Sequence, residues 1–67
     1  MSNIRLTEAQ KKVLKEVIKG KTDKEIAKKL NYTLSGVNYQ MRTLFIVFNT
    51  DNRTKLAYTA IKQGLIQ

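Results

Sequence analysis

The stretch TDKEIAKKLNYTLSGVNYQM, from Thr22 to Met41, has the spacing of two short helices that cross at a fixed angle. Ala27 is small enough for close contact between helices, and four residues later Asn31 can adopt the left-handed conformation that a tight turn requires. Val37, six residues further on, is placed to fill the space between the helices. The stretch therefore predicts a helix-turn-helix motif whose second helix is displayed outward.

Polar cap residues divide the rest of the chain into further helices. Thr7, Thr22 and Thr33 are expected N-caps, and Gln10 and Glu25 each stand three residues after a cap, as in a capping box. Strand-like alternation is absent, so we predict one all-α domain over residues 1–67. The four predicted helices are 8–19, 23–30, 34–48 and 53–63.

The first predicted helix has two contrasting sides. Its apolar side holds Ala9, Val13, Leu14, Val17 and Ile18. At 100 degrees per residue, four lysines fall on the opposite side: Lys11, Lys12, Lys15 and Lys19. We interpret this lysine stripe as a solvated face that contributes long-range attraction.

The end of the third predicted helix departs from simple amphipathicity. Val37, Met41, Leu44 and Phe48 line up at core spacing, but residues 44–48 form a continuous apolar run. Ile46 falls on the outward side. Either the first and fourth helices wrap this end, or Ile46 or Val47 joins a subunit interface.

Composition narrows the possible functions. The chain has 67 residues, with 13 Lys and Arg against 5 Asp and Glu, and the net charge of +8 favours a polyanionic partner. Cysteine and histidine are absent, so disulfides, the usual zinc ligands and a histidine base are excluded. We predict no enzyme activity, no cofactor and no small-molecule ligand. No apolar run approaches the roughly 18 residues of a membrane span, and we expect a cytoplasmic protein.

The outward side of the third helix carries side chains suited to reading DNA. Arg42 can donate two hydrogen bonds to a guanine edge or bind a phosphate, and Asn38 matches adenine. The ring of Tyr39 can contact a thymine methyl, and its hydroxyl can reach a base or a phosphate. We therefore predict that these three residues contact bases. Predicted contacts to the DNA backbone, near helix starts or on the flanks of the third helix, are Thr22, Lys24, Thr33, Ser35 and Thr43.

The chain resembles the LuxR-type, or GerE-like, DNA-binding domain of bacterial regulators. The matching segments, in order, are residues 6–14 (LTEAQKKVL), 20–30 (GKTDKEIAKKL), Thr33, Val37, 52–57 (NRTKLA) and 64–66 (GLI). The resemblance implies a four-helix domain whose third helix enters the major groove and whose fourth helix pairs two subunits over a two-fold DNA site. It places the dimer contacts at Leu56, Ala57, Ala60 and Ile61.

Four positions differ from the usual family pattern. Gly36 stands where Thr is usual, Asn38 where Lys is frequent, Gln40 where His is common and Val47 where Lys is common. These differences affect the surface of the third helix and leave the core positions unchanged. A free-standing copy of such a domain is similar to the small stand-alone regulators, or to a phage or plasmid relative.

Two functions from different classes fit these features. The first is a dimeric, sequence-specific transcription regulator that binds double-stranded DNA at a short inverted repeat. The alternative is a module that binds RNA polymerase or another regulator and could act as an inhibitory heterodimer. The charge and the polar set on the third helix favour DNA.

Overall fold

The computed structural model describes residues 5–64 and contains four α-helices in that range. They are α1 (Glu8–Ile18), α2 (Asp23–Leu30), α3 (Leu34–Phe48) and α4 (Arg53–Lys62). The all-α, four-helix prediction is confirmed, with α1 and α4 each ending one residue earlier than predicted. Leu65 and Ile66, the last part of the resemblance, lie outside the described residues. None of the helices described here is both long and apolar enough to cross a bilayer.

Polar side chains begin all four helices. The Thr7 hydroxyl accepts from the Gln10 amide at 3.1 Å, and the Gln10 side-chain oxygen accepts from the Thr7 amide at 2.9 Å, which completes a capping box. Thr22 and Glu25 form the same reciprocal pair before α2. The Thr33 hydroxyl caps α3 through the Gly36 amide, and the Asn52 side chain caps α4 through the Lys55 amide. The predicted caps are thus confirmed.

Left-handed residues follow the helices and turn the chain sharply. After α1, α2 and α3 these are Gly20 (φ 84°), Asn31 (φ 59°) and Asn49 (φ 53°), and Gly64 (φ 67°) lies two residues after α4. In each of the first three turns, the next backbone N–H bonds back to a carbonyl five residues earlier, as Tyr32 does to Ala27 at 2.9 Å. Asparagine tolerates this conformation better than most residues, which explains the type of residue at positions 31 and 49.

One apolar core joins the four helices. It consists of Val13, Leu14, Val17, Ile26, Ala27, Val37, Met41, Leu44, Leu56 and Ala60. Helix α3 supplies Val37, Met41 and Leu44 and packs against each of the other three helices. The predicted roles of Ala27 at the helix crossing and of Val37 between the helices agree with their burial, at 8% and 0% exposure.

The apolar end of α3 is only partly covered. Leu44 is fully buried, and Phe45 and Phe48 pack against the core. Ile46 is 73% exposed and Val47 is 39% exposed. The expectation that α1 and α4 wrap this end is therefore wrong for Ile46, because its direction on the helix is opposite to that of the core residues.

Candidate nucleic-acid interface

The turn between α2 and α3 fixes how α3 is presented. Asn31 in its left-handed conformation ends α2, and the Thr33 cap of α3 follows only two residues later. With so short a connection, the angle between the helices is set by the turn and by the packing of Ile26, Ala27 and Val37. The geometry is that of a helix-turn-helix.

The outward side of α3 is open to solvent. Tyr39 is 60% exposed, and Ser35, Asn38 and Arg42 are also exposed. They lie away from Val37, Met41 and Leu44, which face the core. None of these four polar side chains is hydrogen-bonded to another side chain within the described residues, so their donors and acceptors face solvent.

Thr43 was predicted to contact the DNA backbone, but its side chain is engaged within the fold, unlike those of the four exposed residues on α3. It is half-buried, its hydroxyl donates to the Gln40 carbonyl at 2.8 Å, and it accepts from Gln10 Nε2 at 2.9 Å. The second bond ties α1 to α3 across 33 positions of sequence. Because the hydroxyl proton is already used within the fold, we leave Thr43 out of the proposed contact set.

The starts of α2 and α3 keep the other predicted backbone contacts accessible. Thr22, Thr33 and Lys24 are exposed. Each threonine hydroxyl accepts a backbone N–H, which leaves its own O–H proton free to donate to a phosphate oxygen. The backbone N–H of Thr22 that bonds to Glu25 holds the pKa of that carboxyl below its ordinary value. The Glu25 carboxylate is therefore charged at neutral pH, and it accepts the Thr22 N–H as the capping box requires.

A contact that the sequence pattern did not indicate connects α4 to the start of α2. The Arg53 guanidinium bonds to the Asp23 carboxylate, and its second nitrogen donates to the Lys21 carbonyl at 2.7 Å. Arg53, the first residue of α4, thus connects that helix to Asp23 at the start of α2 and to Lys21 just before it. The position of Arg53 after the Asn52 cap does not predict this pairing, because its partners are about thirty positions away in sequence.

The predicted dimer contacts on α4 need correction. Leu56 and Ala60 are both 0% exposed and belong to the monomer core, so they cannot contact a second subunit. Ala57 is half-buried against the core, whereas Ile61 is 57% exposed and is accessible to a second subunit. Tyr58, which was not predicted, is 62% exposed on the same helix, and its ring lies 5.7 Å from the Lys62 ammonium. The apolar residues of α4 mark the side that packs in the monomer core. A sequence pattern alone does not tell such a side from a subunit interface.

The fold and this surface define a helix-turn-helix domain of the DNA-binding type. The chain belongs to the luxR family of bacterial regulatory proteins, whose GerE model matches residues 5–60. The predicted family is thus confirmed, and the domain is one of transcription regulators.

Two curated relatives are similar over most of this chain. It is 38% identical over 61 residues to the HTH-type transcriptional regulator AlkS of Pseudomonas putida and 36% identical over 61 residues to AlkS of Ectopseudomonas oleovorans. The match covers 91% of this chain and 7% of each relative. The chain therefore spans only a small part of the length of the relatives that it matches.

Proposed function

We propose that this protein is a sequence-specific transcription regulator that binds a short inverted repeat as a dimer, with α3 in the major groove. The observation that carries the proposal is the open polar side of α3, presented by a helix-turn-helix in a chain of net charge +8. Such a protein works where bacterial DNA is, in the cytoplasm at the nucleoid.

Three side chains on α3 read bases in this proposal. Arg42 donates a pair of hydrogen bonds to a guanine edge, and Asn38 exchanges a pair with adenine. Tyr39 places its ring against a thymine methyl. These side chains are free to adopt these contacts because they are exposed and have no side-chain partner within residues 5–64.

Contacts to phosphates set the register of α3 on the duplex. The hydroxyls of Thr22 and Thr33 and the ammonium of Lys24 lie at or near the starts of α2 and α3, where the helix dipoles also favour an anion. Ser35 lies in the first turn of α3 and has the same role. These contacts add affinity for every sequence and do not discriminate among bases.

The dimer contact in this proposal uses the exposed side of α4. Tyr58 and Ile61 supply the apolar area, and half-buried Ala57 lies beside them. A stable interface buries about 1,200 Å² or more in total, which one side of a ten-residue helix does not provide. We therefore expect a monomer in dilute solution and a dimer on DNA, which sedimentation with and without a duplex measures.

The test is an in vitro selection from random duplexes with the purified chain, scored for a motif and for two-fold symmetry. A symmetric motif supports both the reading function and the dimer. A motif of a single half-site supports the reading function and rejects the dimer. Binding without any sequence preference rejects the proposal.

One observation favours the alternative, a module that binds a protein. Ile46 is 73% exposed. It lines an open groove with a volume of about 550 Å³, together with Arg42, Phe45 and Asn49 among others. Arginine is enriched among the residues that dominate protein interfaces, and exposed apolar surface beside it is suited to cover by a partner. Capture of purified RNA polymerase that is lost in Ile46→Ser, together with no motif in the selection, would favour this module over the DNA reader.

A further inference from the structure

A groove between α1 and α2 is lined mainly by lysine side chains, which make up four of its six residues. Lys12, Lys15 and Lys19 come from α1 and Lys29 from α2, with Glu16 and Leu30 completing the lining. The groove has a volume of about 460 Å³ and is open to solvent. The four lysines are all exposed. We refer to these six residues as the lysine groove.

A buried carboxylate organises the two sides of the lysine groove. Glu16 is only 5% exposed and lies 3.2 Å from the Lys29 ammonium and 3.5 Å from the Lys19 ammonium. Burial raises the pKa of Glu16, but these two ion pairs outweigh it, so the pKa of the carboxyl lies below its ordinary value. The same carboxylate raises the pKa of Lys29. Four ammonium groups against one carboxylate leave three net positive charges in the groove.

The lysine groove faces away from the side of α3 that is proposed to read DNA. Helix α1 packs against α3, and its Val13, Leu14 and Val17 are buried in the core that the helices share. The lysines of α1 stand on the opposite side of that helix, and no residue of α3 lines the groove. One duplex against Tyr39 and Arg42 therefore leaves the groove free.

The chemistry of the lysine groove selects the kind of partner. A protein interface with a defined core uses aromatic and arginine anchors and is depleted in lysine. The groove has no aromatic residue and no arginine, and Leu30 is its only apolar member. Lysine binds phosphate as a point charge without fixed geometry, which suits a nucleic-acid backbone of any sequence.

We propose that the lysine groove binds the phosphate backbone of a second DNA duplex while α3 holds the first. Lys12, Lys15 and Lys19 span about 10 Å along α1, a length over which a duplex carries roughly six phosphate charges. The ion pairs of Glu16 hold Lys19 and Lys29 at the two sides of the groove. The protein thereby bridges two DNA segments, a function beyond reading one site.

Repulsion between the two duplexes does not prevent this arrangement. The domain measures 34 × 21 × 19 Å, and its shortest extent of 19 Å sets the scale of the separation between two surfaces on opposite sides of it. The Debye length at physiological salt is about 8 Å, which is well below that separation. The phosphates of one duplex are thus largely screened from those of the other.

The test is a titration of the isotope-labelled chain with a short duplex of mixed sequence, followed by amide shifts in NMR spectra at low salt. The proposal rests on the proposed function only for the first duplex. We expect the NMR signals of α3 amides to shift as duplex is added and to stop shifting at a ratio of one duplex per α3 site. Amides of Lys15, Lys19 and Lys29 should then shift in a second phase, with excess duplex. A second phase that is absent, or shifts of the groove that saturate together with α3, would overturn the bridging proposal. An α3 that never shifts would instead reject the reading function.

A matched pair of variants separates the effect of the lysine groove from the effect of the overall positive charge. Lys12→Gln/Lys15→Gln removes two charges from the groove, and Lys11→Gln/Lys28→Gln removes two exposed charges from the same two helices outside it. We expect the first variant to weaken the second phase by at least about fivefold and the control by less than about twofold. Equal weakening by both variants would identify a diffuse charge effect and overturn the proposal. Thermal melting of both variants establishes that they are folded.

Discussion

The outward side of α3 and the lysine groove are both exposed and both suited to DNA, but they differ in chemical variety. The side of α3 combines a hydroxyl, an amide, a phenol and a guanidinium within three turns. The lysine groove repeats one ammonium group four times. Base edges differ from each other in their donors and acceptors, whereas phosphates are all alike. The side of α3 can therefore discriminate among base sequences, whereas the lysine groove can attract DNA only without regard to its sequence.

The two surfaces also differ in how they are held. Tyr39 and Arg42 project from a helix that is fixed by a buried core and by two capped ends. Lys19 and Lys29 are held by one buried carboxylate. The first arrangement gives fixed directions, which base reading requires, and the second holds two of the four positive charges at the sides of the groove.

The largest expected effect comes from the core that supports both surfaces. Leu56→Ala should lower the free energy of unfolding by about 2–5 kcal/mol, because Leu56 is fully buried. For a 67-residue domain this is a large share of the total stability. Urea denaturation followed by circular dichroism measures it. Ile61→Ala, on the exposed side of α4, should change stability by less than about 0.5 kcal/mol. Equal effects of the two changes would show that α4 is packed differently.

Arg42→Ala tests the varied surface. On the selected site we expect a loss of about 1–3 kcal/mol in binding free energy, with relaxed preference at one base position. Binding isotherms on the selected site and on its single-base variants measure both quantities. A loss that is the same on every sequence would assign Arg42 to a phosphate and make the two surfaces alike.

Glu16→Gln tests how the uniform surface is held. We expect a loss of about 1 kcal/mol at neutral pH, since the amide keeps the shape but loses the ion pairs with partly exposed lysines. The pKa of Glu16 is lowered in the folded state, so its contribution is present above the unfolded pKa of about 4.3 and is lost as pH falls through the folded value. Denaturation at several pH values should show a smaller loss of stability on acidification for the variant. An unchanged acid dependence would argue against this role of Glu16.

Lys12→Gln/Lys15→Gln should have the smallest effect on the first duplex. The affinity for the selected site and for random DNA should fall evenly, without any change in base preference. The slope of log affinity against log salt should change by less than about one unit, because these lysines do not touch the duplex on α3. A larger change of slope would place these lysines on the first duplex and remove the contrast between the surfaces.

Much of the fold was predictable because its signals are local. The capping boxes at Thr7 and Thr22, the left-handed turn at Asn31 and the core position of Val37 each depend on residues within one or two helical turns. The bounds of α2 and α3 in the structure follow from the same caps. The exposure of Tyr39 and Arg42 was predictable from the direction of Val37 on the same helix.

Other features were not predictable, because they depend on residues distant in sequence. The pairing of Glu16 with Lys29, the bridge from Arg53 to Asp23 and the bond between Gln10 and Thr43 all join separate helices. A helical pattern gives the direction of each side chain on its own helix, but it does not give the neighbour. For this reason Thr43 was placed among the DNA contacts.

By itself the sequence determined four helices, their caps and turns, the outward side of α3 and the family, since each of these depends on spacing along the chain. Only the tertiary structure decided that Leu56 and Ala60 belong to the core, that Ile46 stays uncovered and that a buried carboxylate pairs with Lys19 and Lys29. Burial is a property of several helices together, and it is fixed only when they pack.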